Sequence, residues 1–215
     1  MLVDQHGASR LTVMLFAPLW SVAVDGVGWR PGSSVACGYG FRVLVGAARP
    51  LIFVDVDGVL IPFRARSTGA RRFSSRVGDA AGGFGNPLLD RLDPADGGSL
   101  LALPGELVWA STWMAEANEV VAPRLGLPVL AVVDWPDDDE DAGRDVHWKT
   151  VHLARWAAGR AFVWLDDEIT DADRRWVAAH HSQPALLHRV DPIHGLADAD
   201  LAAVRRWLEK REATR

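Results

Sequence analysis

Leu51-Ile52-Phe53-Val54-Asp55-Val56-Asp57-Gly58-Val59-Leu60 is the stretch whose reading decides the fold. Four apolar residues run without alternation and then break into Asp-Val-Asp-Gly. An unbroken apolar run of this length predicts a strand buried on both faces, and the acidic, Gly-containing break predicts the loop that ends it. Working outward, Leu107-Val108-Trp109-Ala110 repeats the pattern and ends in Ser111-Thr112. Ala161-Phe162-Val163-Trp164-Leu165 repeats it again and ends in Asp166-Asp167. Further strands are expected over 128–133 and 185–188. Helices are expected over 86–92, with Asn86 as cap and Pro87 in the first turn, and over 113–122, 147–158, 170–180 and 198–211. Strands of this kind alternating with helices predict an α/β fold whose central sheet is mainly parallel and covered on both faces. In such sheets ligands bind at the carboxyl ends of the strands. The polar residues Asp55, Asp57, Ser111, Thr112, Asp166 and Asp167 fall there.

The rest of the composition narrows the class. The 215 residues (23.4 kDa) suit one compact domain with an appendage, and 49% apolar against 24% charged residues is the balance of a folded protein. The lone cysteine, Cys37, excludes an internal disulfide framework and a cysteine-based zinc cage. No apolar run reaches the roughly 18–20 residues of a membrane-spanning helix, so no membrane partner is expected. The net charge of −5 is concentrated in Asp134–Asp145, with seven acidic residues and one arginine. The remaining 22 basic and 21 acidic residues nearly cancel, so no global basic field advertises a nucleic-acid binder.

Residues 1–50 are expected to form an irregular N-terminal extension to a domain over 51–215. Leu11 to Val24 is apolar but interrupted by Pro18, and 26–46 is rich in Gly and Ser. Arg10 followed by that run and by Ser21-Val22-Ala23 offers a secretory signal as the alternative to a cytoplasmic location.

The carboxylates carry the chemistry. Asp55, Asp57, Asp166 and Asp167 converge if the first and fourth strands are neighbours. Four acids in one crevice would raise one another's pKa unless a cation sits among them. An all-oxygen set with room for water suits Mg²⁺ better than Zn²⁺ or Cu²⁺. One carboxylate can then attack a phosphoryl group while a second, two residues along, moves a proton. A hydroxyl at Ser111 and the cation of Lys149 would hold the transferring oxygens.

These residues resemble the four motifs of the haloacid dehalogenase-like hydrolase superfamily. They are Asp55-Val56-Asp57-Gly58 after a strand, Ser111 after Val-Trp-Ala, Lys149 on a helix, and Trp164-Leu165-Asp166-Asp167. They stand in the family's order at spacings of 56, 38 and 17 residues, and the resemblance covers about 51–210. It implies a Rossmann-like three-layer sandwich and a Mg²⁺-dependent phosphatase. By that resemblance Asp55 is the nucleophile that becomes an aspartyl-phosphate. Asp57 is the general acid and base and gives the metal its backbone carbonyl. Ser111, or Thr112 if the register slips by one, binds the phosphoryl group. Lys149 steadies nucleophile and phosphoryl, and Asp166 and Asp167 hold Mg²⁺. The Trp-Ala-Ser-Thr-Trp, His-Trp-Lys and Asp-Asp-Glu stretches are similar to small bacterial members, including phosphatase modules of RNA-repair proteins. The intervals 59–106 and 112–148 leave room for a small flap but no large cap domain. That tilts the expected substrate toward large phosphoesters such as nucleic acid ends. A non-catalytic binding module on the same fold is the rival reading. The oligomeric state is not legible.

Plainer roles are expected elsewhere. Arg64, Arg66, Arg71, Arg72 and Arg76 read as a solvated loop, with a phosphate clamp as the alternative, and 137–141 as a solvated acidic loop. The histidines at 147, 152, 180, 181, 188 and 194 show no ligand spacing. Trp109, Trp164 and Trp207 read as core, while Trp113, at the mouth of the second strand, has stacking on a base or ring as its alternative role. Gly82-Gly83-Phe84-Gly85 follows no strand, and no Gly-x-Ser-x-Gly elbow occurs, so neither a dinucleotide loop nor a serine hydrolase is supported.

Overall fold

The computed structural model describes residues 48–64, 86–135 and 145–213. The expectations for the N-terminal extension, the signal segment, Cys37, Arg66 to Arg76, Gly82–Gly85 and the acidic run 137–141 lie outside the described residues.

Five strands form one sheet: β1 (Leu51–Val54), β2 (Glu106–Trp109), β3 (Ala131–Val132), β4 (Phe162–Asp166) and β5 (Ala185–Arg189). Their order is β3-β2-β1-β4-β5 and every pairing is parallel. The helices are α1 (Pro94–Leu101), α2 (Ala122–Leu125), α3 (Lys149–Trp156), α4 (Asp171–His180) and α5 (Asp198–Glu212). Side chains alternate along β1, so Ile52 and Val54 join one apolar cluster while Leu51 and Phe53 join the other. Residues of α1, α2 and α5 complete the first cluster, and residues of α3 and α4 complete the second. The result is the three-layer Rossmann-like sandwich. The chain builds outward from β1 to β3, then returns to the other side of β1 with β4. The carboxyl ends of β1 and β4 are therefore the point where the winding reverses, which is where open sheets of this type bind ligands.

Four elements depart from expectation. The stretch 113–122 is not one α-helix. Met114 adopts a positive φ of 47°, and Ala117–Val121 is a π-helical turn leading into α2. Pro123 has no N–H with which to continue the ordinary ladder at that point. The third strand is two residues rather than six because the Leu130 backbone pairs with a side chain instead. The Asn118 amide donates to the Leu130 carbonyl at 2.9 Å and accepts from its N–H at 2.9 Å. Residues 86–92 form a 3-10 turn, Pro87–Arg91, capped by Asn86 as expected. The helix after it, α1, was hidden by Gly97-Gly98, which weakens helix propensity, although Asp93-Pro94 is a good start signal. Asp93 caps it, accepting from the Ala95 N–H at 3.0 Å.

Gly97 earns its place by contact. A Cβ there would lie 1.8 Å from the Leu125 carbonyl oxygen, whereas a Cβ at Gly98 meets nothing within 4 Å. Gly97→Ala should therefore destabilise the fold by about 1–3 kcal/mol, since backbone must move. Gly98→Ala in the same helix should stabilise it by roughly 0.5–1 kcal/mol. Urea denaturation of the two variants checks the opposite signs.

Candidate active site

The site is assembled by the sheet register. Leu165 pairs with Val54, so the residues that follow β1 and end β4 emerge side by side. Asp55 continues the pairing through its N–H, which donates to the Leu165 carbonyl at 3.1 Å. Asp55 and Asp166 are thus both buried, at 8% and 0% exposure. Between them lies the ammonium of Lys149, 3% exposed. It donates to Asp55 Oδ2 and, at 2.8 Å, to Asp166 Oδ2. The remaining oxygens are also engaged. Asp55 Oδ1 accepts from the Val56 N–H at 2.7 Å. Asp166 accepts from Trp164 Nε1 at 3.2 Å and from the Glu168 N–H at 2.9 Å.

Lys149 is the first residue of α3, where the helix dipole disfavours a cation. Burial works to lower its pKa, but the charges of Asp55 and Asp166 outweigh that and hold it above the ordinary value. Asp55 goes the other way from an ordinary carboxylate. Burial pushes it up to about 7; Lys149 opposes the rise and Asp166 adds to it. Burial and the Asp166 charge also raise Asp167. One ammonium is too little positive charge for these acids.

Asp55, Asp166 and Asp167 each offer a carboxylate oxygen, all within 4.8 Å of one another. This hard, all-oxygen donor set, short of positive charge, fits Mg²⁺. Gly58 makes the approach of Asp167 possible. It sits at φ +70°, and a Cβ there would be 2.4 Å from Asp167 Cγ, so any other residue at 58 would push this carboxylate away. The carboxylate of Asp57 stands outside that trio. It is exposed, and its Oδ2 accepts from Trp113 Nε1 at 2.8 Å. Trp113, for which ring stacking was the alternative reading, grips Asp57 by its indole N–H. The positive φ of Met114 next to it is the kind of backbone strain that a surrounding structure must enforce.

Asp55, Asp57, Thr112, Lys149 and Asp167 all line one cleft of about 180 Å³, together with Phe63, Trp148 and Glu168. Ser111 lies deeper, 1% exposed. Its side chain helps to lower the Asp55 pKa, its Oγ accepts from the Trp113 N–H at 3.4 Å, and its carbonyl accepts from Trp135 Nε1 at 3.1 Å. The sequence-derived site residues are thus brought to one place, with Thr112 rather than Ser111 on the cleft wall. Trp109 and Trp164 are core as expected, and Trp207 packs partly buried against it.

Asp173 escaped the reading of the sequence. It is fully buried, at 0% exposure. One of its oxygens accepts from the His147 N–H at 2.7 Å and from Thr150 Oγ1 at 2.6 Å. The other accepts from the N–H and hydroxyl of Thr170 at 2.7 and 2.6 Å. It ties the start of α3, which carries Lys149, to the start of α4. The Thr170-x-x-Asp173 capping spacing was the available signal. Thr170 does the capping, which leaves Asp167 and Glu168 for the cleft. His147, expected as structural or surface, stands at the rim, its Nε2 2.9 Å from Glu168 Oε2.

A parallel sheet with this acidic cluster at its reversal point is the arrangement of haloacid dehalogenase-like hydrolases, and comparison with known families agrees. Residues 51–201 match the family described as the HAD domain in Swiss Army Knife RNA repair proteins, and the chain belongs to that family. No curated protein and no solved structure matches the chain. Among the described residues no helix is long and apolar enough to cross a membrane.

Burial works to raise Asp173, but its hydrogen bonds from Thr150, Thr170 and His147 prevail and hold its carboxyl below the usual value of 3.8. A depressed folded pKa means its stabilisation is complete above about pH 3.8 and is lost as pH falls through the lower folded value. Asp173→Asn should cost about 2–3 kcal/mol at pH 7, because it leaves donors facing an amide NH₂. The gap from wild type should narrow as the pH is taken below that range, in denaturation titrations at pH 7, 4 and 3.

Proposed function

We propose that the protein is a Mg²⁺-dependent phosphoester hydrolase working through an aspartyl-phosphate on Asp55, with a nucleic acid end as the favoured substrate. The observation that carries this reading is the buried Asp55–Lys149–Asp166 group with Asp167 beside it, opening into a cleft at the reversal point of the sheet. The family's occurrence in RNA repair proteins supports the substrate class. In this reading residues 51–215 are the hydrolase domain and 1–50 lie outside it.

The chemistry follows from the residues. Lys149 favours the ionised form of Asp55 and aims it, since a charged partner favours the carboxylate form. Bound at Asp55, Asp166, Asp167 and the Asp57 carbonyl, Mg²⁺ would supply the positive charge that the phosphoryl oxygens require. The Asp55 carboxylate attacks phosphorus, and the bond from phosphorus to the ester oxygen breaks. Asp57 gives its proton to that departing oxygen. The same carboxylate then takes a proton from water as the water oxygen attacks phosphorus. The bond from Asp55 to phosphorus breaks, releasing inorganic phosphate. Thr112, on the cleft wall, and the Ser111 hydroxyl are the phosphoryl-binding groups. A non-catalytic module would have no need of the complete set, and no observation favours it.

Asp55→Asn should abolish Mg²⁺-dependent phosphate release while the chain still folds, at a lowered melting temperature, because Asp166 remains to pair Lys149. The assay is a panel of aryl phosphates and 3′- and 5′-phosphorylated oligonucleotides with and without Mg²⁺. Turnover retained in the variant means another nucleophile. Trp113→Phe keeps the ring and removes the N–H that holds Asp57. Its kcat should fall about tenfold with KM little changed, as expected for a loosened acid–base group.

A further inference from the structure

Two groups on the cleft wall have no part in the hydrolysis steps. The first is Phe63, 58% exposed. Hiding such a ring would ordinarily stabilise a fold, yet here the backbone is fixed so that the ring stays out. The Phe63 N–H donates to the Pro192 carbonyl at 2.7 Å and the Arg64 N–H to the Ile193 carbonyl at 3.2 Å. Arg91 Nη1 donates to the carbonyls of Pro62 and Phe63 at 3.0 and 2.8 Å. A clamped segment that presents a ring beside Asp55 and Asp57 is built for a flat partner.

The second group is Glu168. The Lys149 N–H donates to His147 Nδ1 at 3.2 Å, so the imidazole proton sits on Nε2 and is donated to Glu168 Oε2 at 2.9 Å. In that tautomer both ring nitrogens of His147 are engaged, one by the Lys149 N–H and one by Glu168. Glu168 Oε1 has no protein donor among the described residues. A carboxylate held in a phosphate-binding cleft repels its substrate unless it meets a hydrogen-bond donor there.

We infer that the outer part of the cleft is a nucleoside subsite, in which Phe63 stacks on a terminal base and Glu168 accepts a ribose hydroxyl. The inference rests on the phosphoesterase reading for the position of the phosphate at Asp55. A ring and a hydroxyl next to a phosphate are what a ribonucleotide end carries, and the hydroxyl is what separates RNA from DNA. A phosphopeptide carries neither as a rule.

Binding can be measured apart from turnover, using the full chain as Asp55→Asn with Mg²⁺ and short RNA strands ending in a phosphate. A strand with an abasic terminal nucleotide should bind about tenfold more weakly, and one with a terminal deoxyribose about fivefold more weakly. Adding Phe63→Ala should erase the first difference, and adding Glu168→Ala the second. Both side chains are exposed, and unchanged melting curves verify that the variants fold. Equal binding of all three strands overturns the subsite, as does a preference that survives removal of its residue or tighter binding of a phosphoserine peptide. Phosphate release by wild type is read separately. No release with both preferences intact overturns the phosphoesterase reading and leaves the subsite standing. Release without the preferences does the reverse.

Discussion

The ammonium of Lys149, sealed between the carboxylates of Asp55 and Asp166, is the constraint around which the rest of the domain is arranged. Parallel pairing of β1 with β4 forces two acids to emerge side by side in a buried place, where each takes a hydrogen bond from the same ammonium. Removing one partner of a buried ion pair typically costs 3–5 kcal/mol because the other charge is stranded. The lysine must therefore arrive on a fixed trajectory, from the first turn of a helix whose dipole repels it. Asp173 sets that trajectory by binding both the turn before α3 and the turn before α4. The arrangement makes stability and chemistry the same problem. A domain that folds has already placed Asp55, the proposed nucleophile, against a cation.

The strands and the site acids were legible because their signals are local. Short continuous apolar runs end in Asp-Val-Asp-Gly, Ser-Thr and Asp-Asp, and the ends of parallel strands converge by topology alone. Four of the five strands fall within a residue or so of expectation for that reason. What was not legible depends on contacts distant in sequence. Pairing of the Leu130 backbone with the Asn118 amide truncates β3, and nothing near 128–133 announces it. The helix α1 contains two adjacent glycines, which argue against a helix locally. Only the close carbonyl of Leu125 explains the first of them. The roles of Trp113 and Asp173 were hidden likewise. An indole N–H 56 residues from Asp57 and a carboxylate 26 residues from His147 meet their partners only in the folded chain.

The size of the cleft bears on how such a site selects. At about 180 Å³ it is smaller than the roughly 300–1,000 Å³ of sites that enclose a small molecule. Its inner wall is committed to carboxylates, the ammonium and hydroxyl groups that any phosphoester would use alike. Between the first and second motifs the described residues hold only a 3-10 turn and α1, so no large cap among them closes over the substrate. In the proposed subsite discrimination falls to groups that stand rigidly at the rim, because a mobile group would lose on ordering what it gained in contact. Phe63 and Glu168 meet that requirement by different means. One is anchored through backbone hydrogen bonds at 62–64, the other through a histidine whose tautomer is set by the N–H of Lys149. Lys149, which holds Asp55 through its ammonium, thus also orients His147, and through it Glu168, by its own peptide N–H. In the proposed reading the reacting and recognising ends of the cleft are joined at a single turn of chain.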